Sequence, residues 1–286
     1  MEIKKVGVIG CGLMGTGIAQ VCAQSGYQVV VSEINDALLN KGITSISSRL
    51  ARDVEKGKLS AKDKDSALSR IKGTTNTKDF SDCDLIIEAI IENMDLKKKI
   101  FAELDKICPQ HTVLATNTSV LSIIDIATAT TRPDKVLGLH FFNPAPVMKL
   151  VEVIKTIATS EDTLRIGTEF VKSLEKTAVI ARDTPGFIVN RQLAPFIFNA
   201  IRMLEDGVAS REDIDAGVKL GLNHPIGPLQ LADFIGLDTI YFGAIDMYDK
   251  FKEPQYAPPV LLGKMVTAGW LGRKTGKGFY DYDKPT

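Results

Sequence analysis

Short apolar runs alternate with longer amphipathic stretches over the first two thirds of the chain. The runs predict strands, and the stretches between them repeat apolar residues every three or four positions, as helices do. The predicted strands are residues 3–9, 28–32, 85–87, 113–115, 136–139, 150–154 and 178–180. The predicted helices are residues 14–22, 39–54, 61–70, 93–104 and 161–174. This alternation predicts an α/β fold with a Rossmann-type, doubly wound, mostly parallel sheet and helices on both faces.

The pattern changes after residues 183–187, where the strand-like runs stop. Helical periodicity alone continues, over residues 188–206, 211–220 and 228–251, with Gly and Pro between the helices. We therefore predict two domains, residues 1–184 with the sheet and residues 185–286 as an all-α domain. The many apolar positions of the second domain predict that it forms a homodimer or a larger homo-oligomer.

A glycine-rich turn joins the first predicted strand to the first predicted helix. The turn has the pattern G-x-G-x-x-G and consists of Gly10, Cys11, Gly12, Leu13, Met14 and Gly15. In a dinucleotide site the first glycine allows a tight turn, and the second lets the backbone approach a pyrophosphate. The third lets helix and strand pack closely. Because the N–H groups at the start of the helix would bind phosphates, we expect the turn to hold a cofactor.

An acidic residue follows the second predicted strand. Glu33 lies 18 residues after Gly15, where a carboxylate would accept hydrogen bonds from an adenosine ribose and repel a 2′-phosphate. Strand, glycine turn, helix and acid together favour NAD over NADP. The alternative is an ordinary turn followed by a solvated glutamate at a strand end.

The composition argues against several other classes of protein. Basic and acidic residues balance at 35 each, so nothing steers the chain towards nucleic acid or an anionic membrane. No apolar stretch approaches the ~20 residues of a membrane span, and the chain enters a strand too early for a signal peptide. The four cysteines lack C-x-x-C spacing, and the three histidines lack metal-ligand spacing. We therefore expect a cytoplasmic protein with reduced cysteines and no metal.

A histidine directly follows one predicted strand, and a glutamate lies in the next. Strand 136–139 leads into His140, and Glu152 comes 12 residues later. In a doubly wound sheet ligands bind at the carboxyl ends of the strands, so we expect His140 to face the ligand. A carboxylate fixes the tautomer of a neighbouring histidine and stabilises the imidazolium, which suits interconversion of an alcohol and a ketone. The alternatives are a structural histidine at a strand end and an exposed glutamate.

Two further polar positions have both a functional and a structural interpretation. Ser119 follows strand 113–115, so its hydroxyl could bind a substrate oxygen, and it could equally cap the helix that begins near Leu121. Asn190 lies early in the first apolar helix of the second domain, where a polar side chain needs a partner. That partner could be the substrate or another group in the core.

Several motifs follow the glycine turn along the chain. They are Asn117-Thr118-Ser119 and the segments 138–144 (GLHFFNP), 148–153 (MKLVEV), 183–191 (DTPGFIVNR) and 274–280 (KTGKGFY). In these motifs the chain resembles the 3-hydroxyacyl-CoA dehydrogenase family over nearly its whole length. Because it is short and free-standing, it is most similar to the bacterial members that act on a four-carbon acyl group, rather than to the domain fused to a hydratase.

The resemblance implies an NAD(P)-dependent oxidoreductase that reversibly reduces acetoacetyl-CoA to (S)-3-hydroxybutyryl-CoA. It implies that His140, paired with Glu152, is the general acid and base. It implies that Ser119 and Asn190 hydrogen-bond the reacting oxygen or His140, and that Asn143 holds the substrate or the nicotinamide. The residues implied along the cofactor are Glu92, Lys97, Ser119, Asn143 and, at its far end, Lys274.

The resemblance also implies that Arg52 and Lys56 face the CoA part of the substrate. With Arg49 they fall within a narrow arc of one helix, where cations suit the CoA phosphates. A solvated basic face is the equal alternative. Glu33 is a departure, because the family often has Asp at this position, and use of NADP therefore stays open.

Two other classes of function are consistent with these residues. One is a dehydrogenase of a free 3-hydroxy acid, although related enzymes of that kind use a catalytic lysine instead of a histidine–glutamate pair. The other is a non-catalytic dinucleotide-binding protein on the same fold. Such a protein would not need the pair of His140 and Glu152.

Overall fold

The computed structural model describes residues 2–282, which divide after Thr184 into two compact units. In the described residues the first unit is built on one eight-stranded sheet, and the second unit, from Pro185 on, is built from helices. This arrangement confirms the predicted fold class, a Rossmann-type α/β domain followed by a helical domain.

The sheet of the first unit is parallel except at one pair of strands. The strands are β1 (Lys5–Ile9), β2 (Gln28–Ser32), β3 (Ile71–Thr74), β4 (Leu85–Glu88), β5 (Val113–Thr116), β6 (Val136–Phe141), β7 (Leu150–Lys155) and β8 (Thr177–Arg182). Their order is β3-β2-β1-β4-β5-β6-β7-β8, and only the pair β6 and β7 is antiparallel. The order reverses between β1 and β4, so their carboxyl ends border the crevice in which such sheets bind ligands.

The helices of the first unit begin where the sequence supplies a cap. They are α1 (Leu13–Gln24), α2 (Asp36–Glu55), α3 (Ala61–Ser69), α4 (Met94–Ile107), α5 (Ile123–Ala127) and α6 (Glu161–Ser173). Asn35, Ser60, Asn93 and Ser160 each accept a hydrogen bond from the backbone N–H three residues on. Helix α1 starts instead at a glycine, which matters for the site described below.

The apolar pattern of the segment itself determines neither the presence of one strand nor the direction of another. Strand β3 is not predicted, because Ile71-Lys72-Gly73-Thr74 contains a single large apolar residue. It forms at the edge of the sheet, where β2 supplies hydrogen-bond partners along one side. Strand β7 runs antiparallel to β6 because the connecting residues 142–149 are too few for a crossover.

The second unit is a cluster of helices around its own apolar core. The helices are α7 (Val189–Glu205), α8 (Arg211–Gly221), α9 (Pro228–Ile235), α10 (Leu237–Phe251) and α11 (Val260–Thr267). The fully buried core includes Ile197, Phe198, Leu229, Leu237 and Leu262. The prediction of one helix over 228–251 is wrong, because Gly236 adopts φ 105° and separates α9 from α10.

Candidate active site

Segments with predicted site residues lie at the carboxyl ends of four neighbouring strands of the sheet. Because β1, β4, β5 and β6 are adjacent and parallel, their carboxyl ends lie side by side. The segments at these ends are the glycine turn 10–15, residues 88–92, residues 116–119 and residues 140–143. The sheet therefore brings together predicted site residues that are far apart in the sequence.

The glycine turn has the backbone geometry that a dinucleotide site requires. Gly10 has φ 95°, and a Cβ added at Gly15 would lie 1.8 Å from the Gly10 carbonyl oxygen. Gly12 is the N-cap of α1 and supplies no side-chain cap to the first N–H groups of the helix. A Cβ added at Gly12 would meet no atom of the described residues within 4 Å except those of its two chain neighbours. The turn thus offers backbone donors and open space to a pyrophosphate, and it fits the cofactor.

Glu33 lies directly after β2 and beside the glycine turn. Its Oε1 accepts a hydrogen bond from the Cys11 N–H at 3.3 Å, and its Oε2 accepts one from the Ile34 N–H at 2.6 Å. Burial, followed by the nearby Glu33 carboxylate, raises the pKa of the Cys11 thiol to about 11. The thiol is therefore protonated near neutral pH, and Glu33 supplies the negative charge on this side of the turn.

His140 and Glu152 form a buried pair between the two antiparallel strands. They are directly opposite in the register of β6 and β7, and Nδ1 of His140 lies 2.6 Å from Oε2 of Glu152. Glu152 is fully buried, so the alternative of an exposed glutamate is wrong. A carboxylate at Nδ1 keeps a proton on that nitrogen, which leaves Nε2 as the nitrogen that exchanges a proton with a ligand.

Ser119 lies at the other nitrogen of the imidazole. Its Oγ is 3.2 Å from Nε2 of His140. The helix that follows Ser119 is capped by Ser122, whose Oγ accepts a hydrogen bond from the Asp125 N–H at 3.4 Å. The Ser119 hydroxyl is therefore not a helix cap. Ser119, His140 and Glu152 form a hydrogen-bonded triad at the carboxyl edge of the sheet.

A glutamate that sequence reasoning missed ends β4. Glu88 is fully buried, and its Oε1 accepts hydrogen bonds from the Lys97 ammonium at 2.6 Å and the Ile90 N–H at 2.7 Å. Its Oε2 accepts one from the Thr116 hydroxyl at 2.7 Å. The only indication in the sequence was an acidic residue closing the apolar run 85–88 at the edge where the other site residues lie.

Two of the residues implied along the cofactor, Glu92 and Lys97, contact each other. The Lys97 side chain is 1% exposed, and its ammonium lies 3.4 Å from Oε2 of Glu92. Glu92 also accepts hydrogen bonds from the Ser119 N–H at 2.7 Å and from the Thr118 hydroxyl at 2.9 Å. Contact of Glu92 and Lys97 with a cofactor stays a prediction.

A groove lies between α1, α2 and the loop after β6, within the first unit. Its lining consists of Leu13, Gly17, Gln20, Arg49, Arg52, Asp53, Lys56, Asn143, Pro144, Ala145, Pro146 and Val147. The structure thus brings the predicted residues Arg52, Lys56 and Asn143 into one groove. The buried Nη2 of Arg49 has no hydrogen-bond partner among residues 2–282, and a polar group of a ligand would satisfy it.

Asn190 and Lys274 belong to the second unit. Asn190 lies in the first turn of α7 and is half-buried. The Lys274 ammonium donates a hydrogen bond to the Asp238 carboxylate at 2.6 Å. The parts of Asn190 and Lys274 in substrate and cofactor binding stay predictions.

The four cysteines are free and buried, and burial raises the pKa of each thiol. Among residues 2–282 no group of His, Cys, Asp and Glu is arranged to hold a metal ion. No helix in that part of the chain combines the length and the apolar character needed to cross a membrane.

A glycine turn of the dinucleotide-binding type and a buried histidine–glutamate pair, both in one doubly wound sheet, are features of a nicotinamide-dependent dehydrogenase. Two family models of a dehydrogenase match the sequence. Residues 5–184 match the NAD-binding domain of 3-hydroxyacyl-CoA dehydrogenase, and residues 186–282 match its C-terminal domain. The chain therefore belongs to the 3-hydroxyacyl-CoA dehydrogenase family, whose members are oxidoreductases, and its cofactor is NAD.

The chain is similar to known relatives over its full length. A probable 3-hydroxybutyryl-CoA dehydrogenase of Bacillus subtilis is 48% identical over 286 residues, which is 100% of each chain. A 3-hydroxybutyryl-CoA dehydrogenase of Clostridioides difficile is 48% identical over 98% of this chain and 100% of the relative. The crystal structure of (S)-3-hydroxybutyryl-CoA dehydrogenase PaaH1 from Ralstonia eutropha is 48% identical with a TM-score of 0.96. That match covers 99% of this chain and 100% of the solved one.

Proposed function

We propose that the chain catalyses the reversible reduction of acetoacetyl-CoA to (S)-3-hydroxybutyryl-CoA. The observation that carries the proposal is the triad of Ser119, His140 and Glu152, at the sheet edge that also holds the glycine turn. The family supports the type of reaction, and the names of the relatives support the four-carbon CoA substrate.

His140 is the group that moves the proton in this proposal. NAD, when bound, supplies the site that gives or takes a hydride at the nicotinamide C4. In reduction, Nε2–H of the His140 imidazolium donates its proton to the oxygen on substrate C3. Glu152 keeps the other proton on Nδ1 and stabilises the imidazolium until the transfer. In oxidation the neutral Nε2 takes the proton of the substrate hydroxyl.

We assign Ser119 and Asn190 to the polarisation of the reacting oxygen. Donors aimed at an oxygen that gains negative charge stabilise the transition state more than the ground state. The support for Ser119 is its 3.2 Å distance from the nitrogen that delivers the proton. The support for Asn190 is its motif and its position in the first turn of α7.

We assign the CoA part of the substrate to the groove of the first unit. Arg52 and Lys56 supply cations for its phosphates, and Asn143 supplies an amide at the same groove. Arg49, whose buried Nη2 has no hydrogen-bond partner among residues 2–282, also lines this groove. A plain solvated basic face would not need an amide and an unpaired buried guanidinium nitrogen in one groove.

We assign the cofactor to the glycine turn and to residues around it. Those residues are Glu33, Glu92, Lys97, Ser119, Asn143 and Lys274. Glu33 favours NADH over NADPH, because its carboxylate accepts hydrogen bonds from ribose hydroxyls and repels a 2′-phosphate.

We further propose that residues 185–286 complete the substrate cleft and form a homodimer, and that the protein works in the cytoplasm. Exposed apolar side chains of the second unit, such as Leu220, Leu222 and Phe242, support the dimer. Light scattering of the full chain is expected to give twice the subunit mass of 31.1 kDa. A mass of one subunit at micromolar concentration contradicts the dimer.

The activity is tested by steady-state rates with several substrates and both cofactors. We expect the highest kcat/KM for acetoacetyl-CoA with NADH, followed by longer 3-ketoacyl-CoAs. Faster reduction of free acetoacetate than of acetoacetyl-CoA indicates a dehydrogenase of a free 3-hydroxy acid. Binding of NADH without turnover of any of these substrates indicates a non-catalytic protein.

A further inference from the structure

The buried carboxylate of Glu88 links the end of β4 to α4 and to β5. It ends β4, it accepts a hydrogen bond from Lys97 of α4, and it accepts another from Thr116 of β5. A third comes from the N–H of Ile90, between β4 and α4. Both carboxylate oxygens are therefore satisfied, as a buried charge requires.

A first hydrogen-bonded route leads from Glu88 to Ser119 through β5. The hydroxyl of Thr116 donates to Oε2 of Glu88 at 2.7 Å. The same Oγ1 accepts a hydrogen bond from the Thr118 N–H at 3.2 Å. Glu88 thus orients the hydroxyl that holds the backbone one residue before Ser119.

A second route leads from Glu88 to Ser119 through α4. The Lys97 ammonium lies 2.6 Å from Oε1 of Glu88 and 3.4 Å from Oε2 of Glu92. Glu92 in turn accepts the Ser119 N–H at 2.7 Å. The second route thus ends on the backbone of Ser119, and the first ends on the residue before it. The Oγ of Ser119 lies 3.2 Å from Nε2 of His140.

A fully buried ion pair is a costly way to pack a helix on a sheet. Charges leave water at a penalty, and well-packed apolar side chains would hold α4 and β4 at least as firmly. What the pair of Glu88 and Lys97 adds is direction, since each of its hydrogen bonds fixes a particular atom of a neighbouring segment. Fixed geometry matters most beside reacting groups, where small displacements lower the rate strongly.

We propose that Glu88 is a positioning residue that holds Ser119 against His140, acting through Thr116 and through Lys97 and Glu92. The expected effect of Glu88 on turnover rests on the proposed function, whereas its expected effect on the Ser119–His140 contact does not. The geometry of the Ser119–His140 contact is a property of the protein itself and is measurable without substrate.

The kinetic test compares Glu88→Gln in two backgrounds of the full-length protein. At saturating acetoacetyl-CoA and NADH, we expect Glu88→Gln to lower kcat about 10-fold in the wild type and less than about 2-fold in Ser119→Ala. If Glu88 acts through Ser119, its effect must disappear once the hydroxyl is gone. The Kd for NADH is measured as well. It shows whether Glu88→Gln also weakens cofactor binding through Lys97 or Glu92.

The substrate-free test uses the side-chain NMR signals of the three histidines. The signal of His140 is identified by its loss in His140→Gln. We expect Glu88→Gln to shift it in the same direction as Ser119→Ala. The matched control is Asp105→Asn, which breaks a buried ion pair at the other end of α4 and is expected to leave the His140 signal unchanged.

A second variant keeps the test decisive if Glu88→Gln does not fold. Thr116→Val changes no charge, keeps nearly the same shape and removes only the first route. We expect its loss of kcat and its shift of the His140 signal to be at least half of those expected for Glu88→Gln, and the loss of kcat to disappear in Ser119→Ala. Equal losses of kcat in both backgrounds, or an unshifted His140 signal in a folded variant, overturn the positioning role. Absence of wild-type turnover refutes the proposed function instead, and the NMR result still decides the role of Glu88.

Discussion

The Nδ1 atom of His140 lies 2.6 Å from Oε2 of Glu152 because the two residues are directly opposite on antiparallel strands. Opposite residues of such a pair share one face of the sheet, with their Cβ atoms ~5 Å apart. A slip of one residue in the register would turn one side chain to the other face. The eight residues between β6 and β7 therefore determine the acid–base pair as firmly as the pair's own chemistry does.

Loss of the imidazole is expected to remove proton transfer but not cofactor binding. His140→Gln keeps a donor towards Glu152 and much of the volume, and it cannot exchange a proton near neutral pH. We expect kcat with acetoacetyl-CoA to fall by roughly 10²–10⁴, with the Kd for NADH within about 2-fold. Stopped-flow rates and NADH fluorescence titration measure the two quantities. An unchanged kcat contradicts the role of His140.

Neutralising Glu152 is expected to act on turnover through the imidazole. Glu152→Gln retains a hydrogen bond to Nδ1 but does not stabilise the imidazolium, so we expect kcat to fall by about 10² or more. Glu161→Gln is the control, because Glu161 is an exposed carboxylate paired with Lys155 at the end of the same strand. A larger effect of Glu152→Gln on the Kd for NADH than on kcat would assign Glu152 to cofactor binding.

A substitution at Gly12 tests whether the glycine turn is a cofactor site or an ordinary turn. The methyl group of Gly12→Ala meets no described atom within 4 Å except those of its two chain neighbours, and φ −78° with ψ −160° suits alanine. Folding should therefore be unaffected within about 1 kcal/mol. The added methyl group would occupy the approach of the pyrophosphate, so we expect the Kd for NADH to rise at least about 10-fold. Thermal unfolding and NADH titration measure both effects.

Gly217→Ala is the control for Gly12→Ala. It adds the same methyl group inside α8, where no described atom outside its chain neighbours and the nearby backbone of the helix lies within 4 Å. We expect it to stabilise the helix by roughly 0.5–1 kcal/mol and to leave NADH binding unchanged. If Gly12→Ala binds NADH as the wild type does, the turn is not the pyrophosphate site.

Glu33 is expected to set the choice between the two nicotinamide cofactors. Glu33→Ser removes the negative charge beside the glycine turn, so we expect the ratio of kcat/KM for NADH over NADPH to fall about 10-fold. Asp36→Asn removes a nearby exposed charge in the first turn of α2 and should leave the ratio unchanged. An unchanged ratio in Glu33→Ser shows that another residue selects the cofactor.

A buried ion pair at the end of α4 makes stability depend on pH. Burial disfavours the Asp105 carboxylate, but hydrogen bonds from Thr131 and the Arg132 guanidinium outweigh it and lower its pKa. The stabilisation is therefore complete above the unfolded pKa of about 3.9 and is lost as pH falls through the lower folded pKa. We expect Asp105→Asn to cost about 3 kcal/mol at pH 7 and less as the pH falls below about 4.

Urea unfolding of the wild type and Asp105→Asn between pH 7 and pH 2.5 measures this dependence. A difference in unfolding free energy that stays constant over this range contradicts the role of the ionised carboxylate. Activity of the folded variant at pH 7 is expected to equal that of the wild type, because Asp105 lies at the far end of α4 from Lys97.

Local pattern predicted the fold class well because strands and helices leave their own periodicity in the sequence. It failed where neighbours in space supply what the segment lacks. Residues 71–74 form a strand only because β2 offers hydrogen-bond partners, and a run of apolar residues over 228–251 hides the break at Gly236. In both cases the local apolar pattern is compatible with more than one structure.

The site divides in the same way. The glycine turn and Glu33 could be proposed as cofactor residues from the sequence because their proposed roles depend on residues close in sequence. The sequence allowed Ser119 either to cap a helix or to bind a substrate oxygen. The structure shows that Ser122 caps that helix instead. Glu88 was missed because its partners Lys97 and Thr116 belong to other elements, so its role is invisible in any single segment.

By itself the sequence determined the alternation of strands and helices, the dinucleotide turn and the candidates for the chemistry. Those features depend on backbone preferences and on residues within one turn or one strand. Only the tertiary structure decided that His140 meets Glu152 at one nitrogen and Ser119 at the other, and that Glu88 is buried at the end of β4. Such contacts depend on strand register and helix packing, which are set by the summed burial of many side chains rather than by any local run of residues.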